Sequence, residues 1–232
     1  MSKIIGILGG MGPLATIDLF QKIVINTPAS TDQEHLQILI YNNPKVPPRT
    51  TCLDISVDNP LIELRKSAIL LENAGADFVI MPCHTAHIWY EEIKKSINIP
   101  FYSMIENTVQ EIIIQNKYSN RQIFLLATET TIQNKLYQNA FGSSSKLIIP
   151  NQEEQRVVSN LIKSIKSLTV DSNQYIEELN TILFDYKKKG ITAILGGCTE
   201  IPLVFPYLSN CMEKIDPTLM LALMAISKAK IN

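Results

Sequence analysis

Two cysteines carry the strongest chemical signal in this chain. Cys83 lies in Met81-Pro82-Cys83-His84-Thr85, and Cys198 lies in Gly196-Gly197-Cys198-Thr199-Glu200. Each follows a short apolar run and precedes a segment that reads as helical. A thiol in that place gains thiolate character, because the helix dipole and free N–H groups favour negative charge. In open parallel sheets, ligands bind beyond the carboxyl ends of the strands, so both thiols are expected at binding positions. Two acid/base groups on opposite faces of one carbon are what stereoinversion needs. One thiolate removes a proton and the opposite thiol supplies another. The remaining two cysteines, Cys52 and Cys211, lack this context and read as packing residues. No CxxC pair is present, so free thiols are expected and not a disulfide framework.

The elements that must position these thiols follow from the hydrophobic pattern. Residues 3–8 form an Ile-rich run closed by glycines, which predicts a buried parallel strand. Pro13 then opens a helix over 14–25. A second strand is expected over 36–41, followed by a loop over 42–49 that holds three prolines. A helix over 60–74 stops at Gly75, and a strand over 77–81 leads into Cys83. A helix over 83–95 and a strand over 99–104 follow. The second half predicts strands over 123–127, 146–149 and 191–195. Its helices span 131–140, 152–167 and 173–189, the last ended by Gly190. Residues 212–215 read as a further strand and 217–228 as a closing helix. This alternation argues for an α/β fold with parallel sheets.

The halves also resemble each other. Asp77 to Thr85 answers to Thr192 to Thr199 with the cysteines 115 residues apart, close to half of the 232. Leu19-Phe20-Gln21 answers to Leu136-Tyr137-Gln138, and Glu106-Asn107-Thr108 to Asp216-Pro217-Thr218, in the same order. Two similar lobes related by pseudo-symmetry are therefore expected. Residues 1–104 with 212–232 would carry Cys83, and 105–211 would carry Cys198. The last strand and helix are assigned to the first lobe.

Composition bounds the function classes. With 46% hydrophobic and 19% charged residues, the chain reads as soluble and globular. A net charge of −1 gives no global field for nucleic acid or an anionic membrane. No apolar run reaches the roughly 18–20 residues of a spanning helix, and no targeting segment is visible. A cytoplasmic location is the expectation.

Three segments together resemble a known family. Gly9-Gly10-Met11-Gly12-Pro13, Met81-Pro82-Cys83-His84-Thr85-Ala86-His87 and Gly197-Cys198-Thr199-Glu200 are similar to the three signatures of the aspartate/glutamate racemases. They stand in that family's order and spacing, across nearly the whole chain. The resemblance implies a racemase independent of pyridoxal phosphate or any other cofactor. It also implies a homodimer, with a small dicarboxylic amino acid held between two similar α/β domains. The superfamily includes hydantoin racemases, maleate isomerases and arylmalonate decarboxylases, so fold alone does not fix the reaction.

A carbanion beside a carboxylate needs donors aimed at that carboxylate. Thr85 and Thr199, beside the cysteines, can offer hydroxyls and backbone N–H groups, and Thr128 and Thr131 can do the same after the strand 123–127. The family's Thr-x-Gly-Thr turn reads Thr128-Glu129-Thr130-Thr131 here, without the glycine. Gly10, Met11 and Gly12 would let the backbone approach the ligand. By resemblance, Arg49 in Pro47-Pro48-Arg49 is the arginine for a substrate carboxylate. Lys166 lies near the lysine of aspartate-preferring relatives, with Lys163 equally close in register, and aspartate is preferred over glutamate on that ground. His84 stands where the family usually has asparagine, and an imidazole can still donate to a carboxylate. His87 is expected to brace its loop, and Glu200 to orient its own. Cys83, His84 and His87 lack a fourth ligand, so no metal is expected.

Three rival readings have distinct signatures. Gly10-Met11-Gly12-Pro13-Leu14-Ala15 satisfies a dinucleotide fingerprint, but Asn42 and Asn43 replace the acidic residue it requires. Cys83 could instead attack carbon, as in a maleate-isomerase-like reaction, which a trapped adduct would reveal. A silent amino-acid-binding protein would bind without exchanging the α-proton, and would have no need of both cysteines.

Overall fold

The computed structural model describes residues 2–49, 59–114, 122–142, 146–168, 171–209 and 212–230. Cys52 and Cys211 lie outside them. The chain divides into two compact units, Met1–Asn107 with Thr218–Asn232, and Thr108–Pro217. It is α/β throughout, as the alternating pattern requires.

In the first unit, β1 (Ile5–Gly9) is followed by α1 (Pro13–Asn26), β2 (Ile38–Asn42), α2 (Pro60–Asn73) and β3 (Phe78–Ile80). A 3-10 turn over Thr85–Trp89, α3 (Tyr90–Lys94) and β4 (Phe101–Tyr102) follow, and the boundary with the second unit falls within the next helix, α4 (Met104–Ile114). The sheet is fully parallel, in the order β2-β1-β3-β4. All residues of β1 and β3 are buried, which is why they read as unbroken apolar runs. Pro13 starts α1 because its missing N–H costs nothing in the first turn. Asn59 caps α2 by accepting from the Leu61 N–H at 2.9 Å, and Gly75 closes it at φ +97°.

The second unit repeats this arrangement. Its strands are β5 (Gln122–Ala127), β6 (Lys146–Ile148), β7 (Ala193–Gly197) and β8 (Glu213–Ile215). Their order, β6-β5-β7-β8, is again parallel and matches the first sheet strand for strand. Its helices are α5 (Glu129–Gln133), α6 (Leu136–Phe141), α7 (Gln152–Ser167), α8 (Asn173–Lys188) and α9 (Ile201–Val204). Asn151 and Glu154 form a reciprocal capping box that fixes the start of α7. The core of this unit gathers Phe124, Leu126, Val158, Leu161, Leu179 and Leu183 between sheet and helices.

Several expectations change. The helix expected over 83–95 is a 3-10 turn followed by one short α-helix. That expected over 131–140 is two helices, because Lys135 adopts a left-handed conformation between them. The strand expected over 99–104 is confined to β4, and Met104 already begins α4. The strand assigned with 212–232 to the first lobe instead extends the second sheet, with Ala193 opposite Glu213 and Leu195 opposite Ile215. Without β8, the wholly buried β7 would present an unpaired edge. The last helix, α10 (Pro217–Ala229), does join the first core, where Leu221, Ala222 and Ala225 pack with Ile5, Ile7 and Phe78. Among the described residues, no helix is long and apolar enough to cross a membrane.

The turn after β1 is the tightest approach in the first unit. Gly10 has φ +98°, and a Cβ there would meet the Asn43 backbone at 2.4 Å. The Asn43 N–H donates to the Gly9 carbonyl at 3.2 Å, and the Gly10 N–H donates to Thr16 Oγ1 at 2.9 Å. Gly10→Ala is expected to cost about 2 kcal/mol or more of stability. Urea unfolding checks this, and a midpoint equal to the parent's would show that the approach is not tight.

Candidate active site

Each unit places one cysteine just past the carboxyl end of its third strand. Cys83 follows β3 and Cys198 follows β7, and both are buried free thiols. The sheets have the same strand order, so the two thiols hold equivalent positions in their units.

Around Cys83, the loop is held by its own backbone and one imidazole. The Cys83 N–H donates to the Met81 carbonyl at 2.9 Å, and the His87 N–H to the His84 carbonyl at 2.9 Å. His87 Nε2 accepts from the Met104 N–H at 3.0 Å. Its Nδ1 must therefore carry the proton, and it donates to the Cys83 carbonyl at 2.8 Å. The bracing role expected of His87 has this geometric basis. Burial holds its pKa down to about 4. His84 is buried beside it at 2% exposure, and burial, then the neighbouring His87, lower its pKa to about 3. Both rings are neutral at physiological pH. Met11 and Val46 lie in the same apolar cluster as Cys83.

Arg49 occupies a half-buried place on the loop after β2. Its guanidinium donates to the carbonyls of Met11 at 3.1 Å, Pro47 at 3.2 Å and Val46 at 3.4 Å. It thus ties the loop that follows β2 to the turn that follows β1. The sequence does not announce this structural duty.

In the second unit, Thr128 and Thr131 come together at the end of β5. Thr128 Oγ1 caps α5 by accepting from the Thr131 N–H at 3.2 Å, and the two hydroxyls are 2.9 Å apart. Gln155 braces this turn by donating to the Ala127 carbonyl at 3.0 Å. Around Cys198 the chemistry is ionic. The Cys198 thiol donates to Glu200 Oε2 at 2.9 Å, and Thr199 Oγ1 donates to the same oxygen at 3.3 Å. Lys166 Nζ lies 3.7 Å from Glu200 Oε1. Of the two lysines read from the sequence, Lys166 reaches this cluster, while Lys163 is exposed on α7.

The thiolate character expected for Cys198 is not found. Burial pushes its thiol well above the ordinary range, the Glu200 charge pushes the same way, and Lys166 opposes them. The following helix, α9, has only four residues, so its dipole offers little compensation. Tyr137 was not singled out as a site residue. It is buried, its phenol is raised by burial, and it feels the charges of Asp216 and Cys198 while bonding to Thr108. Its place opposite Phe20 in the internal repeat was the only sequence signal. Among the described residues, no group of three or more His, Cys, Asp or Glu side chains could hold a metal ion.

Comparison with known proteins extends this picture. The family described as Asp/Glu/Hydantoin racemase matches residues 8–225. The broad specificity amino-acid racemase RacX of Bacillus subtilis is 29% identical over 227 residues, covering 96% of both chains. The aspartate racemase of Picrophilus torridus superposes with a TM-score of 0.84 at 28% identity, covering 98% of this chain and 94% of that one. An aspartate racemase homologue from Pyrococcus horikoshii shares the fold at TM-score 0.78 and 22% identity, covering 99% of each chain.

The two buried imidazoles make stability depend on pH. An unfolded chain titrates its histidines near 6.5, whereas His84 and His87 resist protonation to about 3 and about 4. Protons therefore bind the unfolded state first as pH falls. The stability is complete above about 6.5 and is lost as pH falls through the folded values, by up to about 1.4 kcal/mol per pH unit per ring. His84→Asn is expected to lose about 1–2 kcal/mol less than the parent between pH 7 and pH 5. Urea unfolding at the two pH values measures this, and an unchanged difference would mean that His84 is not buried neutral.

Proposed function

The chain belongs to the Asp/Glu/Hydantoin racemase family, and on that premise we propose that it inverts the α-carbon of an acidic amino acid, aspartate before glutamate. Membership makes it a racemase-type isomerase. In this reading no pyridoxal phosphate is used, and Cys83 and Cys198 are the two acid/base groups. The observation that carries the reading is their equivalence. Each is a buried thiol just past the third strand of an identically ordered parallel sheet.

One cysteine, as thiolate, takes the α-proton from one face, and the other, as thiol, returns a proton to the opposite face. Negative charge then builds on the substrate's α-carboxylate. The Thr128 and Thr131 pair, Thr85, Thr199 and the Met11 backbone are the donors assigned to it, aided by neutral His84. Arg49 and Lys166 are the cations assigned to the second carboxylate. Arg49 meets it by trading bonds to loop carbonyls for a charge-assisted pair. Lys166 pairs with Glu200 at 3.7 Å, and Glu200 accepts from Cys198, so its nearness to that thiol supports the assignment. The preference for aspartate draws support from Lys166 and from the similarity to the Picrophilus torridus enzyme. The likeness to RacX, whose name gives it broad specificity, favours a second reading in which His84 widens the range of side chains accepted.

The reading is tested with purified protein in D₂O, without added cofactor, given L-aspartate or L-glutamate. NMR follows loss of the α-proton signal, and the enantiomers are assayed at the end. Exchange with appearance of the D-isomer, faster for aspartate, is expected. Cys83→Ser and Cys198→Ser are each expected to reduce racemisation by about 10²-fold or more. Near-parental turnover in either variant would sink the two-base scheme. Faster glutamate turnover would overturn the substrate preference, and no exchange with either would move the chain to another reaction of the family.

A further inference from the structure

Arg49 is a cation held by backbone carbonyls, so whatever fixes those carbonyls fixes Arg49. Its guanidinium has two supports. One is the loop after β2, through the carbonyls of Val46 at 3.4 Å and Pro47 at 3.2 Å. The other is the turn after β1, through the carbonyl of Met11 at 3.1 Å. Asn43 stands at the root of both. Its N–H donates to the Gly9 carbonyl at 3.2 Å, where the β1 turn begins. Its own carbonyl accepts from the Val46 N–H at 3.5 Å, and its side-chain Oδ1 accepts from the Lys45 N–H at 3.0 Å. Asn43-Pro44-Lys45-Val46 is thus a β-turn with Asn first and Pro second, the residues such a turn favours. The Asn43 amide nitrogen reaches the other way and donates to Ser67 Oγ on α2 at 3.4 Å. Ser67 in turn donates to the Glu63 carbonyl at 2.6 Å.

These bonds close a circuit. It runs from Asn43 to Gly9, along the chain to Met11, across to Arg49, on to Val46 and back to Asn43. Asn43 is the one polar side chain of the segment 43–49 that is fully buried, at 7% exposure, whereas Pro44 and Lys45 are exposed. A surface turn has no need of a buried amide that also grips the neighbouring helix. We infer that Asn43 is a positioning residue for Arg49: it holds both supports of the guanidinium, and so sets where the second carboxylate of a ligand is met.

The consequence is for binding and not for the chemical step. A loose arginine has many rotamers to lose when it takes a carboxylate. Within the circuit, Arg49 has given up most of them before a ligand arrives. It can then exchange its Val46 and Pro47 bonds for a carboxylate while the Met11 carbonyl keeps it in place. Neither cysteine belongs to the circuit, so proton transfer is untouched by its loss. The ligand step rests on the racemase reading given above, whereas the hold of Asn43 on Arg49 does not.

The test is ¹⁵N NMR of the arginine side chains in the full chain, without substrate. The chain has four arginines, and the Arg49 signals are assigned by their loss in Arg49→Lys. In the parent, bonds to three carbonyls slow the rotation of the Arg49 guanidinium and its N–H exchange with water. Asn43→Ala is expected to speed both by about 10-fold or more at Arg49 alone. Asn43→Asp still accepts from the Lys45 N–H and should restore most of the parent behaviour, with the shorter Asn43→Ser in between. Unchanged Arg49 signals in Asn43→Ala, or in Asn43→Ser where the alanine variant does not fold, overturn the inference. So does equal loosening of all four arginines, which marks general loss of structure. With aspartate, Asn43→Ala should raise KM about 5- to 20-fold and leave kcat within about 3-fold. In an Arg49→Lys background it should add less than about 2-fold to KM. A full rise in that background overturns a role exerted through Arg49. A protein that does not racemise leaves the NMR result standing, and unchanged Arg49 signals leave racemisation standing.

Discussion

The parallel ladder between the first and third strands of each unit fixes where the two cysteines stand. In the first sheet, Ile5, Gly6 and Ile7 pair with Phe78, Val79 and Ile80. In the second, Leu126 pairs with Gly196 and Ala127 with Gly197. A one-residue slip in either ladder would turn every side chain of the third strand to the other face. It would carry the following cysteine out of place with them. Both strands are buried throughout, so such a slip would also set apolar residues against the wrong layer. Close contact enforces the second register further. A Cβ on Gly197 would lie 2.6 Å from Leu125 Cδ1 and 2.9 Å from Ala127 Cβ.

From equivalent backbone positions, the two units build unlike surroundings. Cys83 stands among neutral rings, with His87 committed to backbone groups on both nitrogens. Cys198 stands beside a buried carboxylate that faces a lysine. Sheet order gives the units a common geometry, while the side chains give each thiol its own electrostatics.

Much of this was legible from the sequence, and the remainder was not for identifiable reasons. The buried strands show themselves as Ile- and Leu-rich runs, and Pro13, Gly75 and Gly190 punctuate the helices as expected. Cys83 and Cys198 were found because each closes an apolar run. The helix α4 was missed because Thr108, Val109 and Ile112 to Ile114 are β-branched and weaken the helical signal. The break at Lys135 has no marker, since lysine is not a residue that announces a left-handed turn. The placing of β8 depends on a partner strand sixteen or more residues away, which local pattern does not reveal. The Cys198–Glu200 bond also escaped, although the residues are near neighbours in sequence. Adjacency alone does not say that the carboxylate turns inward.

The bond from Met104 to the His87 ring has a consequence for exchanging parts between relatives. The chain leaves the first unit within α4, and the first residue of that helix is tied through one imidazole to the carbonyl of Cys83. The covalent passage out of the first unit and the loop bearing Cys83 therefore share an anchor. A chimera that grafts a foreign second unit by cutting just before Met104 would bring a new helix start to an old histidine. A junction placed after the first turn of α4 would keep the anchor native and leave the Cys83 loop as it was.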